Sequence, residues 1–366
     1  MSKEVKHIKV YGTTSAGHQL VVNVLKTYLD RSGVPYKLEE VTDISKFIEE
    51  GIESVPAIQY KENIMTLKDN GGFNNSLRQA VRAILKDVNF GTLPKVVIPV
   101  DFSDTSLNAF AYGHRLASEA GAVSKALHVY YPTAREINET LVIDVDFQNI
   151  RKRYLDELVA KFDVDWTSDL MKVSLLDSEF RTGFPGEEII DSAKENDADL
   201  IIMGSTGDSS RIKKWFGSVS TKVMNESEVP VLLVPDEAKY KGVNKIVYAF
   251  DEIELDEKVI QDLTDFCEVM KAELHLVHVN TEDDDIDPGY YIEQITKHNY
   301  DQSKVSVHSI YGEDICTTLT DFAEENNVDV IAMTTTHRSF INRIFHESIS
   351  KKVAFHSTIP VLIFKA

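Results

Sequence analysis

The chain repeats itself, and that repeat limits what it can fold into. Lys95-Val96-Val97-Ile98-Pro99-Val100-Asp101 is answered 150 positions later by Lys245-Ile246-Val247-Tyr248-Ala249-Phe250-Asp251. Asp199-Leu200-Ile201-Ile202-Met203 is answered 130 positions later by Asp329-Val330-Ile331-Ala332-Met333. Val229-Pro230-Val231-Leu232-Leu233-Val234 returns at the same offset of 130 as Ile359-Pro360-Val361-Leu362-Ile363-Phe364. The difference of 20 between the offsets places a longer middle segment in the first copy, within 132–170. Two copies of one unit, about 95–235 and 244–366, therefore follow a shorter stretch, 1–90, that shares nothing with them.

Inside the first copy, apolar runs near 96–101, 124–131, 171–177, 199–203 and 230–235 alternate with helical patterns. One helix is expected to start at Asp104 or Thr105 as its cap, with Leu107, Phe110, Ala111 and Leu116 on its apolar stripe. Short apolar strands alternating with helices predict an α/β unit, a parallel sheet covered on both faces. Such sheets take ligands beyond the carboxyl ends of their strands, where the strand order reverses. Asp101, closing the first strand, and Gly204, closing the fourth, both fall on that edge, so two distant segments converge on one candidate pocket.

The Gly204 segment carries most of the chemistry. Met203-Gly204-Ser205-Thr206-Gly207 leaves a buried strand, and nine residues after Gly207 the pair Gly217-Ser218 opens the amphipathic stretch Val219-Ser220-Thr221-Lys222-Val223. Glycines at a strand end let backbone approach a bulky ligand. A helix N-terminus offers unpaired N–H groups and a partial positive charge to an anion. Together they describe a phosphate cradle. The plain alternative is a tight turn that needs glycine. Arg211, Lys213 and Lys214, inside the gap, read equally as a lid over a terminal phosphate or as solvated loop charges.

Gly-x-x-Gly, nine residues, then Gly-Ser resembles the ATP motif of the universal stress protein family, and Pro99-Val100-Asp101-Phe102-Ser103 is similar to the opening of that family's domain. The resemblance covers 95–366 and implies two Rossmann-like, five-stranded domains in tandem. It implies adenine beside Pro99, Val100, Asp101 and Val129, with ribose and phosphates on Gly204, Ser205, Gly207, Gly217, Ser218, Val219 and Ser220. The ligand so implied is ATP, with or without Mg²⁺. It also implies pairing of the domains through their last strands, Pro230–Val234 and Pro360–Phe364, as an intramolecular pseudo-dimer, and leaves a homodimer open. A proline at the start of each strand suits an edge position.

The second copy departs from the motif. Gly204, Gly207 and Gly217 become Thr334, His337 and Glu347, and only Ser218 persists, as Ser348. A β-branched threonine fits poorly in a turn that needs positive φ. A carboxylate about 4 Å from a phosphate repels it by roughly 4 kcal/mol at an effective dielectric near 20. One nucleotide site, in the first copy, is therefore expected, with the second copy as its structural partner.

Residues 1–90 follow another order. His7–Tyr11 reads as a strand, Gly17–Asp30 as a helix, Glu53–Tyr60 as a strand preceded by a proline, and Asn70–Asn75 as a turn before a last helix. This resembles a glutaredoxin, with a thioredoxin-like fold: Val55-Pro56 matches the cis-proline element, and Gly71-Gly72 with Asn74 and Asn75 the glutathione-side turn, where that family usually has acidic residues. Ala16 and Gln19 occupy the two redox cysteine positions, and no cysteine precedes Cys267. Disulfide exchange needs a thiolate, so the domain is expected to bind glutathione or a peptide, or to serve as a plain interaction module. Ser15 and His18 are too isolated to replace the cysteines.

Composition narrows the classes further. With 59 acidic against 39 basic residues the net charge is −20, which repels nucleic acid and anionic lipid. No signal peptide or membrane span is evident, and Cys267 and Cys316 have no metal or disulfide spacing; buried thiols in a cytoplasmic protein are expected. His337 and His346 match no ligand spacing, and Glu282–Asp287 lacks the glycine and terminal glutamate of a calcium loop. No catalytic constellation is present: no Walker A sequence, no Gly-x-Ser-x-Gly, no His-Glu-x-x-His. The expected protein binds ATP and regulates an unidentified protein partner. A slow ATPase on the same site, or a nucleotide-free scaffold, remains as the rival.

Overall fold

The computed structural model describes residues 5–13, 15–31, 35–67, 76–77, 80–81, 83–84, 94–132, 135–137, 140–142, 145–164, 175–205, 217–250, 256–280, 288–297, 300–312, 315–334 and 359–365. The expectations for 70–75, Gly207, Arg211, Lys213, Lys214, 282–287, His337, His346, Glu347 and Ser348 fall outside this set.

The N-terminal part runs β1 (Lys6–Tyr11), α1 (Ala16–Arg31), β2 (Tyr36–Val41), α2 (Ile44–Glu49), β3 (Ala57–Tyr60) and β4 (Asn63–Thr66). Its sheet has the order β2-β1-β3-β4, with β1 parallel to β2 and antiparallel to β3. The Val55–Pro56 bond, matched above to a cis-proline element, is cis. Ile8 and Val10 of β1, Val21, Leu25 and Leu29 of α1, and Leu77, Ala80, Val81 and Ile84 share one core. The spacing 77, 80, 81, 84 is that of a single helical stripe. Tyr11 points to the other face, against Phe47.

The first repeat runs β5 (Lys95–Pro99), α3 (Asp104–Ala120), β6 (Val123–Tyr130), a hairpin of β7 (Arg135–Ile137) and β8 (Thr140–Val142), α4 (Val145–Val164), β9 (Leu175–Thr182), α5 (Pro185–Glu195), β10 (Leu200–Gly204), α6 (Ser218–Glu226) and β11 (Val231–Val234). The second runs β12 (Lys245–Phe250), α7 (Glu257–Met270), β13 (Glu273–Asn280), α8 (Pro288–Thr296), β14 (Val305–Tyr311), α9 (Ile315–Glu325), β15 (Val330–Thr334) and β16 (Val361–Phe364). The longer middle segment of the first copy is accounted for: hairpin β7–β8 and the 20-residue α4 stand where the second copy has the 9-residue α8.

Both repeats join one ten-stranded sheet, β14-β13-β12-β15-β16-β11-β10-β5-β6-β9. Pairing within each repeat is parallel, and the two meet where β11 runs antiparallel to β16, with Leu232 opposite Leu362. The expected pairing of last strands is thus present, and neither is a free edge. Pro230 and Pro360 stand just before their strands, and their carbonyls accept from the N–H groups of Ile201 and Ile331. The lost prolyl donor therefore costs the ladder nothing. Alternate strand residues enter two cores: Ile98, Ile202, Leu232, Ile246 and Leu362 on the side of α3 and α7, and Val97, Ile201, Val231, Val247 and Ile331 on the side of α5, α6 and α9.

Three expectations are corrected. The third strand of the first repeat is Leu175–Thr182, not 171–177. As the outermost strand it carries Asp177, Glu179 and Arg181 beside its apolar residues and shows no continuous apolar run. The cap of α3 is Ser103, not Asp104 or Thr105; its hydroxyl oxygen accepts from Ser106 N–H at 3.2 Å. On the stripe of α3, Phe110 and Leu116 are buried, whereas Leu107 and Ala111 are only half-buried. Among the described residues, no helix is long and apolar enough to cross a membrane.

Candidate functional site

A cavity of about 230 Å³ opens beyond the carboxyl ends of β5 and β10. From the end of β5 come Pro99, Val100 and Asp101; from β6 come Leu127 and Val129; from β10, Met203 and Gly204; and from the start of α6, Gly217, Ser218, Val219 and Ser220. Ser106 of α3 and Pro185 and Ile189 of α5 complete the wall. Nine of the eleven residues named from sequence line this one space. Gly207 lies outside the described residues, and Ser205 stands behind the wall.

Ser205 braces the site. Its carbonyl accepts from Gly217 N–H at 3.1 Å and from the Ser220 hydroxyl at 2.9 Å, while its own N–H donates to the Val234 carbonyl at 3.1 Å. These bonds pin the start of α6 to the ends of β10 and β11. Gly217 is the N-cap of α6 and makes no side-chain cap bond. Among the described residues, no side chain caps the first N–H groups of this helix, which sit at the positive end of the helix dipole. Gly217 has φ −69°, and the left-handed glycines among the described residues are Gly51, Gly121, Gly183 and Gly242. The expectation that Gly204 supplies positive φ is thus not met. Gly204 is a strand residue paired with Val234, and Thr334 takes the same place in β15 opposite Phe364. What glycine contributes at 204 and 217 is the missing side chain beside the cavity.

Among the described lining residues, Asp101 is the one acidic side chain and none is basic. Its Oδ1 accepts from Ser103 N–H at 3.0 Å and from the Ser103 hydroxyl at 2.6 Å. Phe102 turns the chain with φ +66°, a conformation costing about 1–2 kcal/mol for a residue with a Cβ. Its ring is held 4.7 Å from the His128 ring and 5.5 Å from the Arg151 guanidinium of α4. His128 donates its Nδ1–H to the Val100 carbonyl at 2.6 Å, and burial keeps the imidazole below its usual pKa, hence neutral. The turn that presents Asp101 is therefore fixed from behind by residues no motif marks.

Leu127, Met203, Pro185 and Ile189 were not read from sequence. The first two are strand ends like Val129 and Gly204. The α5 pair had a weak signal, Gly183-Phe184-Pro185 before Glu187-Glu188, which marks a helix start with proline at its first position. Of the second copy's departures only Thr334 is described, and it is buried. At the start of α1, the Ser15 hydroxyl accepts from His18 N–H at 3.4 Å, and the buried His18 places Nε2 3.2 Å from Glu40. Cys267 is buried, its thiol pushed up to about 12 by desolvation. No cluster of three or more metal-ligating side chains occurs among the described residues.

The model of the universal stress protein family matches this chain twice, over residues 92–235 and 242–365. Universal stress protein MJ0531 of Methanocaldococcus jannaschii is 30% identical over 149 residues, covering 38% of this chain and 81% of that protein. Universal stress protein Slr1230 of Synechocystis is 21% identical over 298 residues, 75% of this chain and 100% of its own length. The crystal structure of a universal stress protein from Archaeoglobus fulgidus superposes with a TM-score of 0.53 at 20% identity, over 74% of this chain and 98% of that one. The first relative spans one repeat's worth of this chain, and the other two span about the length of both.

Proposed function

This chain belongs to the universal stress protein family, and from that premise we propose that it is an ATP-binding regulatory protein with one nucleotide site, in its first repeat. The observation that carries the reading is the single cavity in which the end of β5, the end of β10 and the uncapped start of α6 meet. Its apolar side, Val100, Leu127, Val129, Ile189 and Met203, suits a flat base. The free N–H groups of α6 suit phosphate oxygens, and Asp101 offers one carboxylate, to a base edge or to a Mg²⁺ ion. The protein binds and signals rather than catalyses, because one carboxylate does not make a hydrolase. The second repeat serves as a built-in dimer partner through the β11–β16 seam. The N-terminal part is a thioredoxin-like docking module without redox chemistry; its strand order and the alanine and glutamine at the cysteine positions support this.

The test is titration calorimetry of the nucleotide-free full chain with ATP and Mg²⁺, beside the Gly204→Val/Gly217→Glu variant. One site is expected, weakened by roughly a hundredfold or more in the variant, since a carboxylate about 4 Å from phosphate costs on the order of 4 kcal/mol at an effective dielectric near 20. Two sites would mean that the second repeat also binds. No binding would leave an interaction scaffold. Multiple-turnover phosphate release abolished by Asp101→Ala would turn the reading to an ATPase.

A further inference from the structure

At the opposite, N-terminal edge of the strands, the two repeats form two equivalent crevices, each between the strand starts of one repeat and the α3 or α7 helix of the other. The helices correspond at an offset of 150, ending at Ala120 and Met270 before left-handed caps at Gly121 and Lys271. Tyr112 thus corresponds to Asp262, and Glu119 to Val269.

One crevice is dressed by the segment that joins the repeats. Tyr240 sets its ring edge-on to Tyr112, centroids 5.0 Å apart, and donates its hydroxyl to Glu119 at 2.9 Å. Asn108 Nδ2 donates to the carbonyls of Pro235 and Ala238, both at 2.9 Å, and Lys239 donates to Asn108 Oδ1 at 2.6 Å. The occupant is the segment 235–243, in which a tyrosine stands between Lys239 and Lys241.

The other crevice is a cavity of about 390 Å³. Its floor is apolar, with Val96, Leu116, Phe266 and Leu362, and among the described residues its mouth carries Asp199, Asp262 and Asp265 against one cation, Lys258. We infer that this crevice binds an extended peptide of a protein partner, in which an aromatic residue is flanked by lysine or arginine. The filled crevice shows that an aromatic ring fits, and the three carboxylates against Lys258, which stands where the other helix has Asn108, show the sign. Asp329 accepts from the N–H groups of both Asn244 and Lys245, at 2.7 and 3.0 Å. Among the described residues its counterpart Asp199 accepts a backbone bond from Lys95 N–H alone, at 2.8 Å, because Pro94 has no N–H to give. Desolvation holds the Asp199 and Asp262 carboxyls above their ordinary pKa, so an arriving cation stabilises their charged form. Glu228, also on the rim, is already paired with Lys365 at 2.5 Å. An aromatic ring gains by burial on the apolar floor, and the net charge of −20 draws basic segments in.

The test uses the tag-free full chain and a fluorescent, end-capped peptide with the sequence of Ala238–Val243, followed by anisotropy. Saturable binding at one site is expected, weakened about tenfold by Asp262→Lys and by added salt. Val269→Glu, on an exposed position, restores the acceptor that Glu119 provides in the filled crevice. It is expected to tighten the tyrosine peptide by about fivefold while leaving a phenylalanine version unchanged. Absence of saturation at millimolar peptide overturns the inference, as does binding that Asp262→Lys leaves intact. Failure of Val269→Glu to separate tyrosine from phenylalanine overturns it too. Tighter binding of a neutral peptide with the sequence of residues 88–94 would give the crevice to the chain's own upstream segment instead, and concentration-dependent dimerisation lost in Asp262→Lys would give it to a second copy.

Discussion

The outer strands of the two repeats occupy the same register positions and carry opposite chemistries. In the first repeat, Lys125 of β6 pairs with Glu179 of β9 at 3.0 Å, and Arg181 ties Glu179 to Glu188 and Glu195. Asn196 and the Ser192 hydroxyl donate to the same Glu179 carboxylate, at 3.2 and 3.1 Å. In the second repeat the corresponding positions are His275 of β13 and His308 of β14. Their Nδ1 and Nε2 atoms share a hydrogen bond at 3.0 Å, and the Ser306 hydroxyl lies 2.9 Å from each. One backbone arrangement is thus closed by an ion-pair network on one side and by neutral rings on the other. The fold depends on the apolar register beneath, Val97, Leu127 and Ile201 against Val247, Val277 and Ile331, and tolerates either solution at the rim.

The hardest way to break this equivalence is at the seam. Leu232 and Leu362 face each other with 0% and 1% exposure. Leu232→Ala and Leu362→Ala are each expected to cost about 2–5 kcal/mol. If the repeats are one cooperative unit, calorimetry will show both variants lowering a single transition; a second, unshifted transition would separate them.

Glu179→Leu comes next, with an expected loss of about 2–3 kcal/mol in denaturant unfolding, because it leaves the half-buried Lys125 without its carboxylate and takes one of three from Arg181. Burial pushes the Glu179 carboxyl up, but its bonds from Arg181 and Lys125 outweigh that and hold it below the usual value. Its contribution is therefore complete above about pH 4.3 and lost as pH falls below.

The histidine pair titrates in a different window. Burial lowers the pKa of both, His275 further through the charges of His308 and Lys245, His308 further through Lys245. The unfolded chain then binds the extra protons, so stability is complete above about pH 6.5 and declines as pH drops from there. His128 acts with the same sign in the first repeat. Unfolding measured between pH 8 and pH 5 is expected to flatten in His308→Gln, while Glu179→Leu keeps the native slope; an unchanged slope in His308→Gln would refute the assignment.

The smallest contrast is at the caps. Ser103 satisfies one N–H of α3, whereas Asp256 accepts from Lys258 and Val259 N–H, at 2.9 and 3.1 Å, in α7. Ser103→Ala should cost about 1 kcal/mol and Asp256→Ala somewhat more. The reverse order in thermal unfolding would mean that Ser103 matters chiefly through its bond to Asp101.

Legibility followed burial. Strands covered on both faces, such as Leu200–Gly204 and Val231–Val234, show as unbroken apolar runs. The outermost Leu175–Thr182 does not, since one of its faces meets the Lys125–Glu179 network. The expected cap of α3 falls one or two residues late because Asp104 and Thr105 are good caps in isolation, whereas Asp101 holds Ser103 in the place that caps the helix. The cavity was readable where it is built from strand ends and the start of α6, because glycine and serine there have local reasons. Pro185, Ile189 and His128 have none, and reach the site through packing.

Taken alone, the sequence determined the repeat, the alternation of strand and helix, the longer middle segment of the first copy and the position of the glycines, because each depends on local spacing. Tertiary structure decided the rest. The antiparallel meeting of β11 and β16, the pinning of α6 by the Ser205 carbonyl, the orientation of the Phe102 turn and the seating of Tyr240 against α3 all depend on groups far apart in the chain. No local pattern records which of those groups will be neighbours.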